Sequence, residues 1–271
     1  FISLYNLSET LTVLSGLKKD DVLDNLCKIL EIFSRKDFKE RIYPEATEYY
    51  ANMCSALYKA DKSAGLPNYL YDLILYDENV FSLACSRGKF HEISTHIIEA
   101  VKNDIKTLRL LSEIDYDDIV GMLIKNNPEL EKVADSMPSY ANTFKYYGKK
   151  DVWEDYLSDY VRFYSKNGTG KFARFYSCRM DLNGELLPVT HPDTIRLDNL
   201  KEYESQKQKA NNNMVSFLSG NPYNNVLLYG DRGTGKSSCV KALANEYAEV
   251  GLRVIQLEKN KLKHLSSLMQ Q

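Results

Sequence analysis

A stretch near the C-terminal end of the chain has the residue types and the spacing of a phosphate-binding loop. Residues 226–237 read VLLYGDRGTGKS, which is an apolar run followed directly by the Walker A pattern G-x-x-x-x-G-K-S. Gly230, Gly233 and Gly235 allow backbone conformations that a Cβ would block, so that consecutive N–H groups can turn inward around a phosphate. The pattern therefore predicts a site for a polyphosphate.

Two side chains after the glycines supply the charge and the metal ligand that such a site needs. Lys236 offers a compact positive charge to the β- and γ-phosphates of ATP, and we interpret it as the candidate catalytic residue. Ser237 offers a hydroxyl to Mg²⁺. The residues predicted to contact the nucleotide through the loop are Gly230, Asp231, Arg232, Gly233, Thr234, Gly235, Lys236, Ser237 and Ser238.

The alternative interpretation is a Gly-rich turn without a ligand, and the chain contains an internal control for it. Residues 168–171 repeat the letters GTGK, but Phe172 follows them and no apolar strand precedes them. We interpret this copy as a flexible turn. Lys236 and Ser237, in contrast, have no packing reason to lie where they do.

The loop needs a strand before it and a helix after it. The sequence predicts a strand over 226–229, a helix from Ser237 to Tyr247 and a second strand over 253–257, parallel to the first. The loop would then lie at the carboxyl end of the first strand, with the positive end of the helix dipole facing the anion.

Residues 1–145 have the pattern of a separate, mostly helical domain with few strands. Apolar residues recur at three- and four-residue spacing in four segments, which predicts amphipathic helices. These segments are 22–33, 50–57, 93–108 and 119–123.

Residues 146–195 are predicted to form a helix and a β-hairpin that connect two domains. The helix covers 153–164, and strands cover 172–180 and 186–189 on either side of an Asn-Gly turn at 183–184. Basic and aromatic residues alternate here, as on a platform for single-stranded nucleic acid, but we favour a structural hairpin. Asp198 is then predicted to cap a long helix that ends at Gly220.

Composition limits the classes of partner and compartment. The 271 residues have a formal net charge of −2, so no global field attracts nucleic acid or a membrane surface. The five cysteines are far apart, odd in number and without a C-x-x-C pair, which favours reduced thiols in a cytoplasmic protein over disulfides or zinc. His91 and His96 lack the spacing of metal ligands. The first residue is Phe1, so a signal peptide stays an open possibility.

Two segments together resemble a known family. Residues 195–207 and 225–238, followed by Asn-Glu-Tyr at 245–247, are similar to AAA+ ATPases. More narrowly, they resemble an uncharacterised bacterial family of ATP-binding proteins known as domain of unknown function 815. The resemblance is specific over 171–271 and vague over the helical part.

The resemblance implies a fold class and a division of the chain. It implies an α/β P-loop NTPase domain that is incomplete at its C-terminus, preceded by the helical domain and the hairpin connector. The domains are expected at 1–145, 146–195 and 196–271. It also implies ATP and Mg²⁺ as cofactors, self-association through the ATPase domain, and Leu200 and Tyr203 near the base.

The chain departs from the wider superfamily in two ways. It has Asp231 and Arg232 where two prolines are common, and it lacks the acidic strand, the sensor residues and the helical lid. We therefore expect a fragment that binds nucleotide without turning it over, whereas the full-length protein hydrolyses ATP.

Three functions are consistent with these residues. The first is an AAA+-type ATPase that couples ATP binding and hydrolysis to remodelling or recruitment of an unknown protein partner, which the helical domain recognises. The second is a nucleotide-dependent switch or adaptor that does not hydrolyse ATP. The third is a DNA-associated loader, which the acidic helical part disfavours.

Overall fold

The protein is mostly helical and has one small sheet. The computed structural model describes residues 1–60, 65–142, 144 and 152–268. The chain divides into two compact units, Phe1–Ser165 and Lys166–Gln271. The predicted boundary at residue 145 lies outside the described residues. The division at 145 and 195 stays a prediction.

The first unit is built from helices, and its described residues contain no strand beyond one isolated bridge between Gly65 and Ala141. The four predicted amphipathic helices are confirmed as α2, α3, α6 and α7. The helices are α1 (Ile2–Glu9), α2 (Asp21–Ser34), α3 (Pro44–Lys59), α4 (Leu66–Tyr76), α5 (Val80–Ser86), α6 (Thr95–Ser112), α7 (Tyr116–Asn126) and α8 (Leu157–Asn167). Short 3₁₀ helices cover Ser15–Lys19, Phe90–Glu92, Pro128–Ser136 and Trp153–Tyr156.

Helix α2 shows how sequence and packing cooperate in this unit. The Asp20 carboxylate caps the helix by accepting from the backbone N–H groups of Val22, at 3.0 Å, and Leu23, at 3.2 Å. The apolar face then packs against α3, so that Leu26 is fully buried in the core. The three- and four-residue spacing of the sequence is the spacing of this buried face.

Large aromatic side chains fill much of the core of the first unit. Trp153, Tyr71, Tyr160 and Tyr164 are all buried, and the rings of Tyr71 and Trp153 pack edge to face at 5.2 Å. Tyr164 donates its hydroxyl to the carbonyl of Ile74 at 2.5 Å. The burial of a tyrosine ring is thus combined with a hydrogen bond for its polar tip.

The second unit combines short helices with the sheet. Its helices are α9 (Gly170–Arg174), α10 (Glu204–Leu218), α11 (Lys236–Tyr247) and α12 (Leu265–Leu268), and its strands are β1 (Ser177–Met180), β2 (Leu186–Pro188) and β3 (Val254–Gln256). Short 3₁₀ helices cover Leu197–Asn199, Ala248–Val250 and Lys259–His264.

The sheet has the order β2-β1-β3. Strands β1 and β2 are antiparallel with Arg179 opposite Leu187, so the predicted hairpin around the Asn-Gly turn is confirmed. Strand β3 is parallel to β1, with Cys178 opposite Ile255. The hairpin therefore shares a sheet with the segment after the loop, rather than standing apart as a connector. One face of this sheet packs on a small apolar cluster that includes Met180.

The predicted strand at 226–229 is not formed. Val226, Leu227 and Tyr229 are 54%, 84% and 89% exposed, and no described strand pairs with them. Both edges of β1 are already occupied, by β2 and β3. An apolar run becomes a strand only when a neighbouring strand accepts its hydrogen bonds, and sequence pattern alone does not supply that neighbour.

Two further boundaries differ from the prediction. Phe172 lies in helix α9 rather than in a strand, and β1 begins only at Ser177. Asp198 lies in a 3₁₀ turn, and α10 begins at Glu204. The reason is local, because Glu202 and Tyr203 have φ angles of 66° and 57°, which a right-handed helix does not allow.

The cysteines and the helix lengths complete the description. Cys54, Cys85 and Cys178 are buried free thiols, while Cys27 and Cys239 are partly buried. Within the described part of the chain, no helix is both long enough and apolar enough to cross a bilayer.

Candidate functional site

The predicted loop forms a sharp backbone turn that ends at the start of α11. Gly230, Gly233 and Gly235 have φ angles of 139°, 90° and 79°. A Cβ at Gly233 or Gly235 would meet no atom within 4 Å, so the requirement for glycine there comes from the backbone conformation and not from space. Left-handed φ values at these positions are what a side chain disfavours.

Lys236 folds back over this loop and holds it closed. Its ammonium donates to the carbonyl oxygens of Gly230, at 3.0 Å, and Asp231, at 2.5 Å, and to Thr234 Oγ1, at 3.1 Å. Thr234 in turn donates its hydroxyl to the Asp231 carbonyl at 2.9 Å. The ammonium has three donors, and each has an oxygen acceptor of the loop itself.

The start of α11 adds backbone donors to the same place. Gly235 is its N-cap and provides no side-chain cap, while the first bond into the helix runs from Cys239 N–H to the Gly235 carbonyl at 2.8 Å. The N–H groups before it have no partner within the helix. Free N–H groups and the positive end of the helix dipole favour an anion at this point.

The remaining loop residues have different environments. Asp231, Arg232 and Ser237 are exposed, whereas Thr234 and Ser238 are partly buried. Asp231 contributes its backbone carbonyl to the closed loop. The side chain of Arg232 is open to solvent beside the loop.

The donor set suits magnesium bound together with a polyphosphate. Among the described residues, no group of three or more His, Cys, Asp or Glu side chains is arranged to hold a metal ion. Mg²⁺ retains several waters and takes the rest of its ligands from substrate phosphates and one or two protein oxygens. The exposed hydroxyl of Ser237 fits that role.

The two residues expected near the base lie on a segment beside α11. Leu200 is partly buried, and Tyr203 is 50% exposed. Lys207 donates its ammonium to the Leu200 carbonyl at 2.5 Å. The same ammonium opposes the effect of burial, which raises the pKa of the Cys239 thiol. The Lys207 contact ties Leu200 to α10.

The second GTGK copy forms a different structure. Gly168 has a φ angle of 77° in the turn between α8 and α9. Lys171 lies inside α9 and donates to the carbonyl of Leu186 at 3.1 Å, a contact with the sheet. The same four letters therefore form a turn closed by its own lysine only at 233–236.

Sequence comparison identifies similar proteins. Residues 171–271 match a family described as "Protein of unknown function (DUF815)". A protein of Arabidopsis thaliana named as an AAA-ATPase is 41% identical over 68 residues. These matches support a similarity of the chain to an AAA+-type ATPase-related family of unknown function.

The extent of these matches is limited. The similarity to the Arabidopsis thaliana protein covers 22% of this chain and only 13% of that relative. No solved structure matches the chain. The DUF815 match lies within the second unit.

Two residues of this region were not predicted to have a structural or functional role. Asn245 on α11 bonds to three backbone or side-chain groups, and Lys207 on α10 holds the Leu200 carbonyl. The sequence signal for Asn245 was its place in the Asn-Glu-Tyr run at 245–247, which is part of the family resemblance. Lys207 carries no distinguishing signal, because lysines are common on exposed helix faces.

Proposed function

We propose that residues 230–238 bind the phosphates of ATP and that the protein is an AAA+-type ATPase. It would couple the binding and hydrolysis of ATP to the remodelling or recruitment of a protein partner. The observation that carries this proposal is the convergence of the Lys236 ammonium and the first N–H groups of α11 on one glycine-rich turn.

The closed loop is suited to exchange its own oxygens for those of a phosphate. Lys236 now uses two carbonyls and one hydroxyl as acceptors. Hydrogen bonds between an ammonium and an anionic oxygen are shorter and stronger than those to neutral acceptors. The β- and γ-phosphates would therefore replace the loop oxygens, while the loop N–H groups bind the remaining phosphate oxygens.

We assign the other parts of the site as the sequence predicts them. Ser237 would hold Mg²⁺, and Leu200 and Tyr203 would contact the base. Arg232, which is exposed beside the loop, would face a neighbouring copy in a self-associated form. The helical unit would recognise the partner. The relative from Arabidopsis thaliana, which is named as an AAA-ATPase, supports the assignment to ATP.

The test is isothermal calorimetry of ATP with Mg²⁺ on the wild type and two lysine variants. Lys236→Ala should weaken ATP binding ten-fold or more, about 1.4 kcal/mol, because the loop N–H groups alone leave much of the phosphate charge unneutralised. Lys171→Ala is the matched control, since it removes the lysine of the other GTGK run. It should bind ATP like the wild type. Equal affinities for all three proteins would contradict the proposal.

A second measurement separates an ATPase from a switch that only binds. Phosphate release is followed on the full-length protein with ATP and Mg²⁺, with its Lys236→Ala variant as background. An ATPase releases phosphate above that background, since charge on the transferred group must be neutralised by Lys236 and the metal. Tight binding without release would favour the nucleotide-dependent switch or adaptor.

A further inference from the structure

Asn245, near the end of α11, joins three parts of the second unit through one side chain. Its Nδ2 donates to the carbonyls of Asp193, at 2.6 Å, and Ile195, at 2.7 Å. Its Oδ1 accepts from the Tyr176 hydroxyl at 2.7 Å. Both amide hydrogens and the amide oxygen are engaged.

Two ion pairs also link residues 193–196 to α11, but they contribute less than the hydrogen bonds of Asn245. Lys241 lies 3.3 Å from Asp193, and Arg196 lies 3.4 Å from Glu246. All four side chains are substantially exposed, and exposed pairs contribute little because water and salt screen them. The partly buried amide of Asn245 is the stronger link.

We name residues 193–203 the strap, because contacts near its start attach it to the second half of α11. The strap begins at Asp193, next to Asn245. Its 3₁₀ turn Leu197–Asn199 lies against the helix, and the Leu200 carbonyl then receives the Lys207 ammonium. At its end, Glu202 and Tyr203 have the positive φ angles given above. Such strained backbone persists only where surrounding contacts hold it.

We propose that Asn245 is a positioning residue that fixes the strap on α11, the helix that follows the phosphate loop, and so positions Leu200 and Tyr203 for the nucleoside part of ATP. The proposal rests on the function proposed above. It assigns to Asn245 a share of the binding of the nucleoside part of ATP, and no share of the binding of the phosphates.

The contacts of the loop and of the strap are separate, so the binding of the phosphates and of the nucleoside can be changed independently. The polar contacts of the Lys236 ammonium and the Thr234 hydroxyl are all made within residues 230–236, and none of them involves the strap. The strap, in contrast, is attached at its beginning through Asn245. Loss of Asn245 should free the strap while the loop keeps its conformation.

The experiment compares the affinities of ATP and inorganic tripolyphosphate on the same proteins by calorimetry. Asn245→Leu keeps the size of the side chain and removes all three bonds. It should weaken ATP binding about ten-fold and leave tripolyphosphate binding within two-fold of the wild type. Tyr176→Phe, which removes only one bond, should give a smaller loss in the same direction.

Asn211→Ala is the matched control. Asn211 on α10 accepts from the Tyr247 hydroxyl at 2.7 Å, so the variant removes a hydrogen bond to the same helix without touching the strap bonds. Both affinities should stay at their wild-type values. Far-ultraviolet circular dichroism of each variant checks that it folds. If Asn245→Leu does not fold, Tyr176→Phe still tests the proposal.

Each outcome decides the matter. Equal losses for ATP and tripolyphosphate would make Asn245 a general support of the helix and overturn the proposal, as would unchanged affinities. If the wild type binds ATP but no tripolyphosphate, Asn245→Leu must still weaken ATP binding about ten-fold, and wild-type affinity for ATP overturns the proposal. A wild type that binds neither ligand refutes the proposed function itself, and this inference with it.

Discussion

Gly235 offers a quantitative test of the idea that backbone conformation, and not space, determines the glycines of the loop. Its φ angle is 79°, and a Cβ there would meet nothing within 4 Å. For an alanine, the left-handed conformation costs roughly 1–2 kcal/mol. No steric term adds to this cost, so the whole effect of Gly235→Ala should be of that size.

The exposure of the loop indicates that this cost will lower the affinity for ATP rather than the stability of the protein. Residues 230–233 are exposed, so the loop of the Gly235→Ala variant can relax in the free protein. ATP must then restore the strained conformation, and its affinity should fall about 5- to 30-fold with little change in the midpoint of thermal unfolding. Gly235→Asn should lose less, because asparagine tolerates the left-handed region better than alanine does.

Gly121 provides the matched control. It lies within α7 without a positive φ, and a Cβ there also meets nothing within 4 Å. Gly121→Ala should stabilise the protein by about 0.5–1 kcal/mol and leave ATP binding unchanged. Calorimetry and thermal unfolding on the four proteins test this. Wild-type ATP affinity and an unchanged unfolding midpoint in Gly235→Ala would refute the reasoning.

Two further predictions concern burial. The Asn126 side chain hydrogen-bonds to the Phe38 and Arg41 carbonyls and to the Tyr43 N–H group. Asn126→Leu should therefore lower the free energy of unfolding, measured by urea denaturation, by about 1–3 kcal/mol. An unchanged denaturation midpoint would contradict this prediction. Burial raises the pKa of the Cys54 thiol in α3 and of the Cys85 thiol in α5 to about 11. At pH 8 about one molecule in a thousand then carries the thiolate at each position. Iodoacetamide should therefore alkylate the partly buried Cys239 before Cys54 or Cys85, as measured by mass spectrometry. ATP with Mg²⁺ should slow the alkylation of Cys239. Alkylation of Cys54 or Cys85 before Cys239 would contradict the burial argument.

Local pattern was sufficient for the features that depend on neighbouring residues in the chain. The glycines at 230, 233 and 235 predicted a turn with positive φ angles, and the structure has it. The spacing of apolar residues predicted the helices of the first unit, since a helix buries one face whatever its partner is. The Asn-Gly pair predicted the hairpin, because few other residues tolerate its turn.

Tertiary structure decided the features that need a partner distant in sequence. The run at 226–229 has the composition of a strand, but no strand lies beside it, and β3 pairs with β1 instead. The letters GTGK occur twice, and only the copy that ends in Lys236 closes a loop over its own carbonyls. Asn245 reads as an ordinary polar residue of a helix, and its three bonds exist because the fold brings 176 and 193–195 to it. Hydrogen bonds within a turn or a helix are set by the local chain, whereas those between segments appear only once the segments are packed together.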